Sequence, residues 1–131
     1  MEERATTPVG VVRAVIAALN RGDIDAALAY CHPEIVLWAP GQLLEGQEIR
    51  GLERLRFVLE YSEARWPDMW TSVQSIVAAG SRVAVELTTV ATEAGQTIAQ
   101  PMAAFYTVED GLIVEQRSYY DLGALERELR R

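Results

Sequence analysis

The sequence holds one cysteine, Cys31, and one histidine, His32. A single thiol excludes an intrachain disulfide and a thiolate metal cluster. Its place in the apolar run Ala26–Cys31 suits a small buried hydrophobe. No apolar stretch approaches the roughly 20 residues of a membrane span. The charged opening MEERATTPVG has no apolar core of signal-peptide length, so the expectation is a cytoplasmic protein away from membranes. Basic runs are missing apart from Arg130 and Arg131, and the formal net charge is -7. An acidic surface repels phosphates, which argues against nucleic acid and anionic lipid as partners. No metal-ligand cluster, phosphate loop or nucleophile–base pair is readable, so operation without metal or cofactor is expected. Repeats, linkers and low-complexity stretches are also lacking, which leaves one domain spanning residues 1–131.

What is present is an ordinary globular composition: half of the 131 residues are apolar and 24% are charged. A chain of this length buries roughly two-thirds of its unfolded surface, enough for a sizeable core.

The first half reads as helix. Thr7 followed by Pro8 is an N-cap with proline at the first helical position, and Val9, Val12, Val15/Ile16 and Leu19 recur at helical spacing up to Asn20. Asp23 caps a shorter helix through Ala27, Leu28 and Tyr30, stopped by Pro33. Glu34–Ala39 (EIVLWA) is β-branched and aromatic, hence a strand ended by Pro40-Gly41. Gln42–Gly51 reads as a loop with a brief hairpin arm. Leu52–Arg65 reads as a third helix terminated at Trp66-Pro67-Asp68.

The second half reads as sheet. Trp70–Ala79, Arg82–Thr92, Thr97–Glu109 and Leu112–Tyr120 are β-rich and separated at hairpin length, so they pair antiparallel in order. Asp121 reads as the N-cap of a last helix through Leu122, Leu125 and Leu129. Helices followed by a long meander make an α+β fold, a curved antiparallel sheet wrapped around N-terminal helices that leaves a cone with an open end. An open cone of this kind is a place for a small ligand.

The segments NRGD, HPEIVLWAPG, EGQEIRGLERL, SRVAVELTTVATEAG and FYTVEDGLIVEQRSYYDLGAL together resemble the nuclear-transport-factor-2-like superfamily. Within it they are similar to the SnoaL-like polyketide cyclases and the limonene-epoxide-hydrolase branch. The likeness covers nearly the whole chain, with VEDGLIVEQRSYYD its best motif. It implies a cone-shaped α+β barrel, commonly a homodimer through the outer sheet face, involving here Glu86, Thr88, Glu115, Arg117 and Tyr119. It implies the fold far more firmly than a reaction, since the superfamily holds isomerases, cyclases, hydrolases and binding modules.

The match also assigns positions. The epoxide-hydrolase branch keeps an aspartate where this chain has Ser118, an Arg-x-Asp pair at Leu87 and Thr89, and a Tyr-x-Asn pair at Val36 and Trp38. Every one is replaced, so neither the acid nor the base for opening an epoxide is present. If Ser118 faces inward, alternation turns Val114, Gln116 and Tyr120 inward too. Val83, Val85, Leu87 and Thr89 are the apolar parity of their strand. Gln100, Met102, Ala104 and Tyr106 are expected to face in on the next, with Pro101 marking a bulge.

The expected ligand-binding set is therefore Val36, Trp38, Leu87, Thr89, Gln100, Met102, Tyr106, Gln116, Ser118 and Tyr120. Such a lining suits a polyketide, terpenoid or steroid-like molecule. The candidate catalytic groups are Asp121, which equally fits a helix cap, and His32, which equally fits a helix-end partner. A cofactor-independent proton transfer, isomerisation or cyclisation would need one of them. The alternatives are a non-catalytic small-molecule-binding module and a dimerisation module with a filled cone.

Overall fold

The computed structural model describes residues 4–40, 48–121, 123, 124 and 127. Helix α1 (Pro8–Asn20) begins where Thr7 Oγ1 accepts the Gly10 N–H at 3.1 Å, with Pro8 placed where no N–H is needed. Its apolar stripe of Val11, Val12, Val15 and Ile16 is buried. Asp23 caps α2 (Ile24–Leu28) by accepting the Ala26 N–H at 3.0 Å.

Helix α2 stops short of Tyr30, and strand β1 runs over Cys31–Trp38 rather than starting at Glu34. The reason is tertiary: Ile113 N–H donates to Tyr30 O at 2.8 Å, so the last strand captures the chain before Pro33 is reached. A three-residue strand β2 (Glu48–Arg50) supplies the expected hairpin arm, while residues 41–47 of that segment lie outside the described residues. Gly51, at φ 90°, turns the chain into α3 (Leu52–Arg65), a backbone conformation that side chains resist.

The meander follows as β3 (Trp70–Ala79), β4 (Arg82–Glu93), β5 (Gln96–Glu109) and β6 (Leu112–Tyr119). Ala94-Gly95 and Asp110-Gly111 both hold positive φ, the geometry of two-residue hairpins that suits the twist of the flanking strands. The helix expected after Asp121 rests on Leu122, Leu125 and Leu129, which are outside the described residues.

The strands form one curved, unclosed sheet in the order β2-β1-β6-β5-β4-β3. The meander pairs antiparallel throughout, as its short turns require. The sheet as a whole does not: β1 lies parallel to β6. Strand β2, helix α3 and strands β3 to β5 lie between the two and form the long crossover that parallel pairing needs.

Besides the register shift between Cys31 and Val36 on the β1–β6 seam, two bulges in the meander reset side-chain parity. One falls between Val73 and Ser75; the other is on β6, where Val108 pairs with Ile113 but Thr107 pairs with Glu115. Val114 is therefore the extra residue, and Ile113, not Val114, faces the core at 1% exposure. The bulge expected at Pro101 is absent, since β4 and β5 stay in register through the Thr88–Pro101 pair. Strand β6 has already ended opposite Ala103, so no third strand needs the missing proline donor.

The helices pack on the concave face, joining Val11, Val12, Leu28 and Leu55 to Ile35, Val83, Val85 and Ile113 in one core. No helix among the described residues is long and apolar enough to cross a membrane. Asn20, at the end of α1, ties the helix to the first turn of β3: its amide donates to Thr71 O at 2.8 Å and accepts from Thr71 N at 2.8 Å. Asn20→Ala leaves both backbone groups of an edge strand without those partners. A loss of about 2 kcal/mol is expected, read from urea unfolding.

Candidate functional site

Strand pairing fixes which side chains share the concave face. Val83, Val85, Leu87 and Thr89 of β4 stand opposite Tyr106, Ala104, Met102 and Gln100 of β5. Tyr106 and Ala104 in turn stand opposite Gln116 and Ser118 of β6. The face grades along its length. Val83, Tyr106, Val108 and Ile113 are 1–4% exposed at one end. Towards the other end Thr89, Gln100, Met102, Gln116 and Tyr120 are only partly buried. This less buried end is the candidate ligand site.

Its polar groups are neutral. Gln116 Nε2 donates to Ser118 Oγ at 3.2 Å, and Thr71 and Thr89 hydroxyls share a hydrogen bond at 3.2 Å. Gln100 Nε2 donates to Pro101 O at 2.9 Å. The Tyr120 hydroxyl donates to Pro40 O at the rim, and burial raises its pKa. Burial likewise pushes Tyr106 above the ordinary phenol range and Cys31 up to about 11. All three groups therefore keep their protons at neutral pH, and Cys31 donates weakly to Ala27 O at 3.6 Å. The charge on this parity is Glu93, at the hairpin tip. It is held there by an ion pair with Arg65 and by Trp66 Nε1 donating at 2.7 Å. Such a face can bury an apolar body and orient neutral oxygens; among the described residues of β4, β5 and β6 its one carboxylate on this parity is the paired Glu93.

Two expected lining residues are elsewhere. Val36 and Trp38 pair with Glu115 and Arg117 and so lie on the convex face, while Leu37, the partner of Gln116, faces in. Ile35 and Ala39 share the inward side with Leu37 and contribute to or pack on the core. Trp38 instead stacks with Tyr119 at 5.1 Å between ring centroids, with the Arg117 guanidinium 4.8 Å from its ring centre. The sequence Ile-Val-Leu-Trp-Ala is apolar at every position, so alternation cannot choose its face; pairing with β6 does. The polar partners Glu115 and Arg117 were the usable signal.

The two candidate catalytic residues are also apart from the concave lining. Asp121 is exposed and its Oδ1 accepts the Ala124 N–H at 2.9 Å, the bond of a helix cap. His32 sits partly exposed at the start of β1, where Nδ1 accepts the Glu34 N–H at 3.0 Å. The structure joins neither residue to the Gln116–Ser118 pair. A further groove of about 530 Å³ lies between α2 and α3, away from the sheet. Arg56 spans it, paired to Asp25 at 2.8 Å and Glu60 at 3.8 Å, so its charges satisfy one another.

A curved, unclosed sheet with helices on its concave side is the α+β cone of the nuclear-transport-factor-2-like superfamily. The model of the SnoaL-like domain matches residues 12–116, and the chain belongs to that family. No curated protein matches the chain. Among solved structures it is similar to wild-type IdmH, a candidate polyketide cyclase from Streptomyces antibioticus. Identity is 25%, the match covers 95% of this chain and 99% of that chain, and the TM-score is 0.80. A candidate polyketide cyclase from Xanthomonas campestris pv. campestris is 27% identical over 93% of this chain and 96% of that chain, at a TM-score of 0.74. An LEH-like epoxide hydrolase of M. tuberculosis, 24% identical over 95% of this chain and 90% of that chain with a TM-score of 0.81, shares the fold.

Proposed function

We propose that this SnoaL-like protein binds a hydrophobic small metabolite of polyketide, terpenoid or steroid-like character at the less buried end of its cone. The observation that carries this reading is the concave face itself: apolar side chains from four strands interrupted by neutral hydrogen-bonding groups, with the first charge at the Glu93 rim. Likeness to polyketide cyclases at 25% and 27% identity supports the same ligand class. The lining argues for binding without chemistry. A cofactor-free proton transfer or cyclisation would run through Asp121 or His32, and both are engaged in local backbone bonds away from the lining. We also infer a homodimer through the convex face, where Phe105 and Tyr119 stand 38% and 41% exposed beside Trp38. Exposed aromatics of this kind are the anchors of protein interfaces.

A thermal-shift screen of polyketides, terpenoids and steroids tests the binding reading. A ligand present at about 100 times its Kd adds about 2.7 kcal/mol, which raises the melting temperature by several degrees. A flat response across all three classes, with the cone shown to be filled in a crystal structure, would leave the dimerisation module as the function.

A further inference from the structure

Strand β3 is an edge of the sheet, with β4 on one side and no strand on the other among the described residues. An edge turns every second pair of backbone N–H and C=O groups outward, and proteins usually guard it with lysine, proline or a short length. Strand β3 is ten residues long, holds no proline, and lies within a run that has no charge between Asp68 and Arg82. None of its residues is buried, and Trp70 and Val77 are 55% and 62% exposed. Two copies of a chain with net charge -7 repel one another, and an uncharged edge puts no like charges directly opposite.

Asn20 shows which backbone groups turn outward. Its side chain takes both the N–H and the C=O of Thr71, so those groups point away from β4. By alternation Val73 points the same way, and the bulge moves the next outward position to Ile76. No other element sends a hydrogen bond to Val73 or Ile76 among the described residues.

The bulge also decides what can pair there. Thr71, Val73, Ile76 and Ala78 stand opposite inward residues of β4 and so face the concave side. Gln74 is the extra residue, and it accepts the Thr88 hydroxyl at 3.0 Å on the convex side. Ser75, opposite Glu86, lies on that side as well. The pattern of faces therefore reads the same in both directions from the middle of the strand. A regular strand alternates strictly, and so matches β3 on one side of the bulge only. A second β3 run antiparallel carries the same irregularity at the same place and matches along the whole length. Val73 then meets the second copy's Ile76, and Ser72 meets its Val77.

We propose that β3 pairs edge to edge with β3 of a second copy, about a two-fold axis between Gln74 and Ser75, joining two six-stranded sheets into one. Val73 and Ile76 carry the intermolecular hydrogen bonds, because Asn20 already fills Thr71. The seam is separated from Trp38 and Tyr119 by β4 and β5, so it depends on neither the ligand site nor the convex-face contact.

The test reads the seam itself, by amide hydrogen exchange of Val73 and Ile76 in the full chain at about 1 mM. Ser72→Lys with Val77→Lys sets like charges opposite each other across the two-fold, at two exposed side chains. Ser72→Glu with Val77→Lys sets opposite charges there instead. In wild-type protein both amides should exchange at least about tenfold slower than in the two-lysine variant. The opposite-charge variant should keep that protection to within about threefold. Equal exchange in wild type and the two-lysine variant would overturn the seam. So would an opposite-charge variant that exchanges as fast as the two-lysine one, since only this register brings its charges together. Wild-type amides that slow only when an alternating Thr-Val decapeptide is added would overturn self-pairing and give the edge to another chain. Sedimentation of Trp38→Ala protein separates this contact from the convex one. That protein should still dimerise at the same concentration, and a monomer there would overturn the seam.

Discussion

Ser118→Asp is expected to lower stability by about 3 kcal/mol at pH 8 while creating no epoxide hydrolysis. Ser118 is 6% exposed among Ala104, Gln116 and the inner face of β5, with no cation on that parity to pair with a carboxylate. A desolvated carboxyl has its folded-state pKa raised well above the unfolded value of about 3.9, by 2 or more units at about 1.4 kcal/mol each. The unfolded chain then binds fewer protons than the folded one between those two values. The penalty is absent below the unfolded pKa and grows as pH rises to the folded pKa. Urea unfolding at pH 4 and pH 8 reads the difference; a variant equally stable at both would place Ser118 in a hydrated or cationic environment. Turnover requires more than this carboxylate, because Leu87 cannot donate to an epoxide oxygen and Thr89 is a poor base. Hydrolysis of limonene epoxide by the unmodified protein, lost in Ser118→Ala, would contradict the motif alignment or the strand parity that puts Leu87, Thr89 and Ser118 at those positions.

Trp38→Ala is expected to weaken self-association by about 30-fold or more, the scale of an aromatic interface anchor. Trp38 holds Tyr119 and Arg117 in one stack, since Arg117 Nε also donates to Tyr119 Oη at 2.9 Å and Phe105 meets Tyr119 edge-on at 5.8 Å. Removing the indole leaves the other three without the surface that orders them. Sedimentation equilibrium across micromolar concentrations measures the shift. An unchanged association constant would move the interface elsewhere, and a monomeric wild type would dispose of the dimer altogether.

Local chemistry made most of this fold legible. Thr7-Pro8, Asp23 and the glycine turns mark ends that depend on their own neighbours, and the four meander strands are long and cleanly bounded. The inner parities of β4 and β5 were readable because Val83, Val85 and Leu87 alternate with Ala84 and Glu86. What stayed hidden was set from a distance. Nothing near Cys31 announces that Ile113 will take Tyr30 O, nor that β1 will run parallel to β6. The bulge at Val114 moved Ile113 inward while Gln116 and Ser118 kept the expected face, because their parity was counted from Ser118 and not through the bulge. For Val36 and Trp38 a motif match across related chains chose the face, and the β6 register reversed it. The inward parity was therefore legible on three strands and misread on β1, where the stretch Ile35–Trp38 is apolar at every position.

The parallel seam between β1 and β6 also dictates an order of events during synthesis. Strand β1 emerges early, yet its only partner within the large half of the sheet is the last strand made, with Cys31 waiting for Ile113 and Trp38 for Arg117. The meander can zip hairpin by hairpin as it appears, because each contact there spans a short loop. Ile35 and the valines of α1 have no finished core to enter until β6 is off the ribosome. A nascent chain truncated before Ile113 would expose those apolar residues, and this wait is the stage at which the protein most depends on chaperones.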